Sequence, residues 1–215
     1  MGSTRLPGKI LRPIHDRCLL DHILDRLKRL SHRAKPVIAT STTAADDVVK
    51  EFCQKRGVAC FRGDEANVLH RYRDCATRMA FTQIVRLTGD NPFVDIEELD
   101  RLIDLHFSAN SDFAHSFGQL PLGVGAEIFT RQALERAARE STELHHFEHV
   151  DEYLLEHPEI FKTIQLEVPE AKRRPLLRLT VDTEEDWLRA SFIAAQAGHD
   201  FVTTEEAIAL CSRSA

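Results

Sequence analysis

No two cysteines in this sequence stand at the C-x-x-C spacing, and the five present (Cys18, Cys53, Cys60, Cys75 and Cys211) are odd in number and scattered. A zinc ribbon and a disulfide framework are thereby excluded, and reduced thiols in a cytosolic protein are expected. Also missing is any apolar run near the roughly 20 residues that a membrane span needs. The first residues contain no signal-peptide core, and Leu6 stands where a myristoylation signal places Ser or Thr. Positive charge is not in excess: 28 Lys and Arg against 34 Asp and Glu leave a formal −6. A general nucleic-acid binder carries a basic field, so nucleic acid is not the expected partner.

What is present is a chain of 215 residues, 43% of them hydrophobic, enough for one domain with a sizeable core. Its hydrophobic period alternates between helix-like and strand-like. Leu19, Leu20, Ile23, Leu24, Leu27 and Leu30 recur at helical spacing, predicting a helix over about 18–30. Short apolar runs predict strands at 36–39, 58–61 and 83–88, then near 112–116, 125–129, 161–168 and 177–181. Helices are expected at about 44–56 (stopped by Gly57), 68–79, 96–108, 131–139, 147–156, 184–197 and 204–211. The last of these has a Thr203…Glu206 capping box at its start. Strands separated by helices imply a three-layer α/β/α, Rossmann-like domain with a mainly parallel mixed sheet. It is expected to span 1–215, with room for a small substrate or dimerisation lobe at about 112–170.

Ligands of such sheets bind outside the carboxyl ends of the strands. Chemistry is therefore sought at Thr40-Ser41, Arg62-Gly63-Asp64, Gly89-Asp90 and Asp182. Strand alternation puts Arg178, Thr180 and Asp182 on one side of their segment, and Arg86 on one face with Thr88. An Arg in an apolar strand must be paired, so Arg86 and Arg178 either hold an anionic ligand, brace nearby aspartates or form structural salt bridges. Residues 1–9 bring Gly2, Ser3, Thr4, Arg5, Gly8 and Lys9 into one segment. Such a segment suits a loop that wraps phosphates with backbone N–H groups and cations. It is not a Walker A loop: five residues separate Gly2 from Gly8-Lys9 where four are required, and Ile10 replaces the Ser/Thr. His145, His146 and His149 invite a metal reading, but no Cys or H-E-x-x-H pattern completes a closed site.

The segment Gly2-Ser3-Thr4-Arg5-Leu6-Pro7-Gly8-Lys9 resembles the signature loop of the acylneuraminate and KDO cytidylyltransferase family, most closely its spore-coat polysaccharide branch. Further blocks agree in order: Ala39-Thr40-Ser41, Phe61-Arg62-Gly63, Val68 to Tyr72, Val85 to Pro92, Glu148-His149-Val150 and Leu177 to Asp186. The resemblance implies a nucleotide-diphospho-sugar transferase fold and a cytoplasmic enzyme, with room for a homodimer. In its reaction an acceptor hydroxyl of a sugar-type molecule attacks the α-phosphate of CTP and releases pyrophosphate. It further implies that Arg5 and Lys9 neutralise the departing phosphates and that Asp90 and Asp182 hold Mg2+. The nucleotide is expected against Gly2, Ser3, Thr4, Thr40, Ser41, Arg62, Arg71, Arg86 and Arg178. Without the resemblance, Asp90 reads as a turn residue and Asp182 as a helix cap.

Two departures from the pattern stand out. The family loop follows a central strand, whereas this sequence begins at the loop, so a first strand of about 5–6 residues is expected to be missing. The segment Leu120 to Glu127 lacks the Asp that many relatives carry near Gly125, which argues against a sialic-acid-like acceptor. A glycosyltransferase is the competing reading. No two aspartates stand in an Asp-x-Asp pair, however, and the Arg5/Lys9 cations favour a triphosphate donor. A silent nucleotide-binding module is the third reading.

Overall fold

The computed structural model describes residues 5–212, so Gly2, Ser3 and Thr4 lie outside the described residues. A small antiparallel ribbon, β1 (Pro13–Ile14) with β2 (Arg17–Cys18), leads into α1 (Leu19–Leu27). The apolar stripe of α1 is buried at Leu19, Leu20, Ile23 and Leu24, as its helical spacing predicts. The unit β3 (Val37–Ser41), α2 (Asp47–Arg56) and β4 (Ala59–Gly63) pairs its strands in parallel, from Val37 opposite Ala59 to Ser41 opposite Gly63. Then follow α3 (Val68–Arg78), β5 (Gln83–Arg86) and α4 (Ile96–Ala109). The Asn67 side chain caps α3 by accepting from the His70 N–H, and Asp95 caps α4 by accepting from Glu98.

The second half supplies β6 (Phe113–His115), β7 (Glu127–Thr130), α5 (Arg131–Glu140), α6 (Leu144–Glu148), α7 (Glu152–Glu156) and β8 (Thr163–Gln165). Helices α8 (Glu184–Ala197) and α9 (Thr204–Ser212) close the described chain. Both sides of the expected Thr203…Glu206 capping box are made, at 2.8 and 3.2 Å. The sheet order is β5-β7-β6-β8, with β7 antiparallel to both neighbours and β6 parallel to β8. The period of two sends Val85, Ile128 and Ala114 into one core and Ile84, Phe129 and Phe113 into another. Residues 112–170 thus contribute three strands of the main sheet, with α5 and α7 on its second core.

Two sequence expectations are corrected. The stretch 177–181 is not a strand; it makes one isolated bridge, Leu122 with Arg178, because its N–H groups are taken by single carbonyls of other segments. The helix expected over 147–156 is split into α6 and α7. The break at 149–151 lets Val150 bury completely and turns Asp151 toward Arg86.

No described strand lies between β3 and β5, and the two belong to separate sheets. A cavity of about 750 Å³ fills the space between them, walled by Ile38, Val85, Leu99, Ile103, Leu24 and Ile128 among others. Its walls are mostly apolar, and the edges of β3 and β5 that face it carry no ladder partner among the described residues. This cavity is a strand-wide hole in the core, and the polar chemistry lies at its rim near Thr40, Thr88 and Gly89.

One buried charge holds the far side. The Lys172 ammonium lies 3.2 Å from Asp95 and 3.0 Å from Glu98, with all three side chains at most 5% exposed. Burial alone would favour the neutral amine, but the surrounding carboxylates outweigh it and raise the Lys172 pKa. Lys172→Met leaves buried Asp95 without its cation and Glu98 with Arg101 alone, so a loss of about 3 kcal/mol is expected in urea unfolding. An unchanged midpoint would remove Lys172 from the stabilising set.

Candidate active site

Three segments far apart in sequence meet at the end of β5. The Asp90 carbonyl accepts from the Val181 N–H at 2.9 Å, so the backbones next to the two candidate aspartates are joined directly. On the other side of 177–181, the Leu122 carbonyl accepts from the Leu179 and Thr180 N–H groups at 2.8 and 3.0 Å. That approach depends on Gly123, at φ +98, where a Cβ would stand 2.5 Å from the Thr180 nitrogen. Gly89 does the same for the N-terminal segment: a Cβ there would lie 3.3 Å from Ile10, next to Lys9.

The result is a compact charge cluster. The Lys9 ammonium donates to Asp182 Oδ1 at 2.6 Å and to Asp90 Oδ2 at 3.0 Å, and its side chain is only 12% exposed. Arg5, 65% exposed, stands 3.8 Å from Asp182. Arg178 donates to Asp182 and, at 3.0 Å, to Asp186. Burial works against ionisation of Asp182, but the hydrogen bonds from Lys9 and Arg178 outweigh it and hold its carboxyl below the usual range. Asp186 is also partly desolvated, yet Arg178 and the N–H groups of 182 and 183 hold it at about 2. The cap of α8 is Thr183, reciprocally bonded with Asp186. Asp182 is therefore left free of capping duty and faces Lys9.

The remaining sequence candidates are placed as follows. Thr40 and Ser41 sit at the carboxyl end of β3, buried, with both hydroxyls donating to Asp46 at 2.6 and 2.7 Å. Their protons are committed, and the Ser41 N–H also donates to Asp46, which leaves hydroxyl lone pairs for a ligand. Arg62 donates to the Ser41 and Thr43 carbonyls at 2.8 and 2.7 Å and so braces that loop. Arg71 binds the Asp64 and Glu65 carbonyls and braces the loop after β4. Arg86 pairs with buried Glu127 on β7 and lies 3.9 Å from Asp151. Of the arginines, Arg5 and Arg178 are thus in the cluster, while Arg62, Arg71 and Arg86 serve loops or a buried ion pair.

Sequence reasoning missed four acids: Asp46, Glu127, Asp151 and Asp186. Only Asp186 had a local signal, standing three residues after Thr183 at capping-box spacing. Asp46 lies a short loop beyond Thr40 and Ser41 with no recognisable pattern, and Glu127 and Asp151 are brought to Arg86 only by the fold.

Two aspartates converging on one cation, with further cations alongside, form a donor set suited to a metal and a polyphosphate. The comparisons with known proteins bear on the family and the fold. The profile of the Cytidylyltransferase family matches residues 1–212. The spore coat polysaccharide biosynthesis protein SpsF of Bacillus subtilis (strain 168) is 39% identical over 220 residues, covering 100% of this chain and 91% of that protein. A cytidylyltransferase structure from Leptospira borgpetersenii serovar Hardjo-bovis superposes with a TM-score of 0.91 at 32% identity, covering 100% of this chain and 91% of its own. The fold is also that of a CMP:2-keto-3-deoxy-manno-octonic acid synthetase complexed with CTP, at a TM-score of 0.66 and 15% identity over 91% of this chain and 95% of that one. With family profile, a full-length relative and fold in agreement, the protein belongs to the cytidylyltransferase family and is a nucleotidyltransferase.

Proposed function

We propose that this enzyme transfers CMP from CTP to a hydroxyl of a sugar-type acceptor, with release of pyrophosphate, in the synthesis of a surface polysaccharide. The observation that carries the reading is the meeting of Lys9, Asp90 and Asp182 at one point. Asp90 and Asp182 would hold Mg2+, an ion that favours a few carboxylates plus water and phosphate oxygens. When bound there, the ion supplies charge neutralisation at the reacting phosphate. Lys9, released from its two carboxylates, then reaches the β- and γ-phosphates together with Arg5 and offsets the charge that builds as pyrophosphate leaves. Arg178 keeps Asp182 ionised and aimed. The acceptor hydroxyl attacks the α-phosphorus, its oxygen forms the new P–O bond as its proton passes to solvent, and the bond to pyrophosphate breaks.

CTP is expected over a purine triphosphate because the Thr40 and Ser41 hydroxyls, held by Asp46 at the end of β3, are placed to read the edge of a pyrimidine that a bulkier purine would crowd. In calorimetry CTP should bind about tenfold more tightly than ATP or GTP, a difference of about 1.4 kcal/mol. Equal or tighter purine binding would contradict the choice of base. The reaction itself is tested by pyrophosphate release with CTP, Mg2+ and a panel of sugars and sugar acids. Silence across the panel together with no CTP binding would sink the proposal.

A further inference from the structure

A second group of metal-ligating side chains stands away from the phosphate site, on α6 and α7. Sequence spacing singled out His145 and His149 as one helical turn apart, but the structure selects a different set. His149 ends α6, and the third ligand comes from the next helix. The ligand atoms of His145, His146 and Glu156 all lie within 4.8 Å of one another. His145 Nε2 is 3.1 Å from one Glu156 carboxylate oxygen, and His146 Nε2 is 2.8 Å from the other. A fourth group, Glu152, sits one turn earlier on α7 with an oxygen 3.7 Å from His145 Nε2. Tetrahedral zinc, with bonds of about 2.0–2.2 Å, holds its ligand atoms roughly 3.3–3.5 Å apart. The His–carboxylate contacts span 2.8–3.7 Å and the ligand atoms of His145, His146 and Glu156 lie within 4.8 Å of one another, so small side-chain shifts would complete the set.

The geometry points to a Zn2+ site formed by His145, His146 and Glu156, with Glu152 as the fourth ligand. Two neutral imidazoles and two carboxylates suit Zn2+ and its transition-metal neighbours, whereas Mg2+ takes oxygen ligands. The set is partly preorganised. His146 is buried at 4% exposure and its ring meets Tyr153 edge-on, with centroids 5.2 Å apart. Glu152 and Glu156 are like charges four residues apart, with no Lys or Arg partner among the described ion pairs. A divalent cation would relieve their repulsion. One feature limits affinity: His146 Nδ1 is buried without a hydrogen-bond partner among the described residues. An outer acceptor at that nitrogen is worth about 10–100-fold, so binding on the order of micromolar is expected. The ion would clip α6 to α7 and fix the turn between them, which carries Asp151 to within 3.9 Å of Arg86.

The test is calorimetric titration of the full chain, freed of metal by a chelator, with ZnCl2 alone in the presence of millimolar Mg2+. One equivalent should bind with Kd on the order of micromolar, and Tm should rise with zinc concentration. Glu156→Gln, which keeps the side-chain shape, and His145→Ala, at an exposed position, should each weaken binding more than tenfold. Asp182→Asn should leave it unchanged. A simple imidazolium–carboxylate contact predicts no zinc uptake and a response to pH alone. That result would overturn the site. So would zinc uptake left unaltered in Glu156→Gln and His145→Ala when both retain the parent circular dichroism spectrum, or uptake abolished by millimolar Mg2+.

Discussion

Lys9→Ala is expected to slow pyrophosphate release by about a thousandfold while tightening the binding of Mg2+ in the absence of nucleotide. The two effects have one cause. Without ligand, the Lys9 ammonium occupies the point where the Asp90 and Asp182 carboxylates converge, at 3.0 and 2.6 Å. Removing it leaves two partly buried acids facing each other, and their repulsion is relieved by a divalent ion more than in the parent. In turnover the same ammonium is needed on the phosphates, where one preorganised cation or donor is worth about 10²–10³ in rate. Mg2+ should therefore raise the Tm of Lys9→Ala by more than it raises that of the parent. Asp182→Asn separates the roles, losing both turnover and the Mg2+ response, because it removes a ligand and leaves Arg178 with Asp186 alone. Should Lys9→Ala retain near-parent turnover, or bind Mg2+ more weakly, the assignment of Lys9 to the phosphates fails.

Placing about six Ile and Val residues ahead of Met1 is expected to raise Tm by about 10 °C or more. The cavity of about 750 Å³ between β3 and β5 has mostly apolar walls, and the strand edges facing it have no ladder partner among the described residues, so it has the shape and chemistry to accept an apolar strand. Lys9 bonds Asp90, and Ile10 lines the cavity beside Gly89, so a segment added at this end of the chain is within reach of the slot. Cavity costs on the order of 24 cal/mol per Å³ exceed the ordering of about six residues at roughly 1.5 kcal/mol each. Even a net gain of about 4 kcal/mol corresponds to such a shift in a chain of this size. A Gly/Ser segment of equal length should give nothing, since it fills neither the apolar walls nor the pleat. If both extensions behave alike, the cavity is not a strand slot.

Much of the fold was legible because its signals are local. Helical spacing in α1, the Gly57 stop of α2, the Thr203–Glu206 cap and the apolar runs of β3 to β5 each lie within a few residues. The strand expected at 177–181 failed because alternation reports which side chains are buried, not whether a neighbouring strand exists; Leu179 and Val181 are buried, yet their N–H groups go to Leu122 and Asp90. The helix expected at 147–156 failed for a related reason. Its apolar period continues through Val150, but the backbone breaks so that this residue and Asp151 can reach different neighbours. At the site, Arg86 and Arg178 could be recognised as cations needing partners. Which carboxylates served them was set by register between β5 and β7 and by the Thr183 turn, and neither distance is written along the chain.

The hydrogen bond from Val181 to the Asp90 carbonyl, and the grip of Lys9 on both aspartates, join residues 9, 90 and 182. Contacts of such sequence separation form late, since each closes a long loop before any of them is rewarded. A partly folded chain holding only β3, β4 and their helices would own none of the three candidate groups in place, so appearance of activity during refolding is expected to mark completion of the native chain and not any earlier compaction.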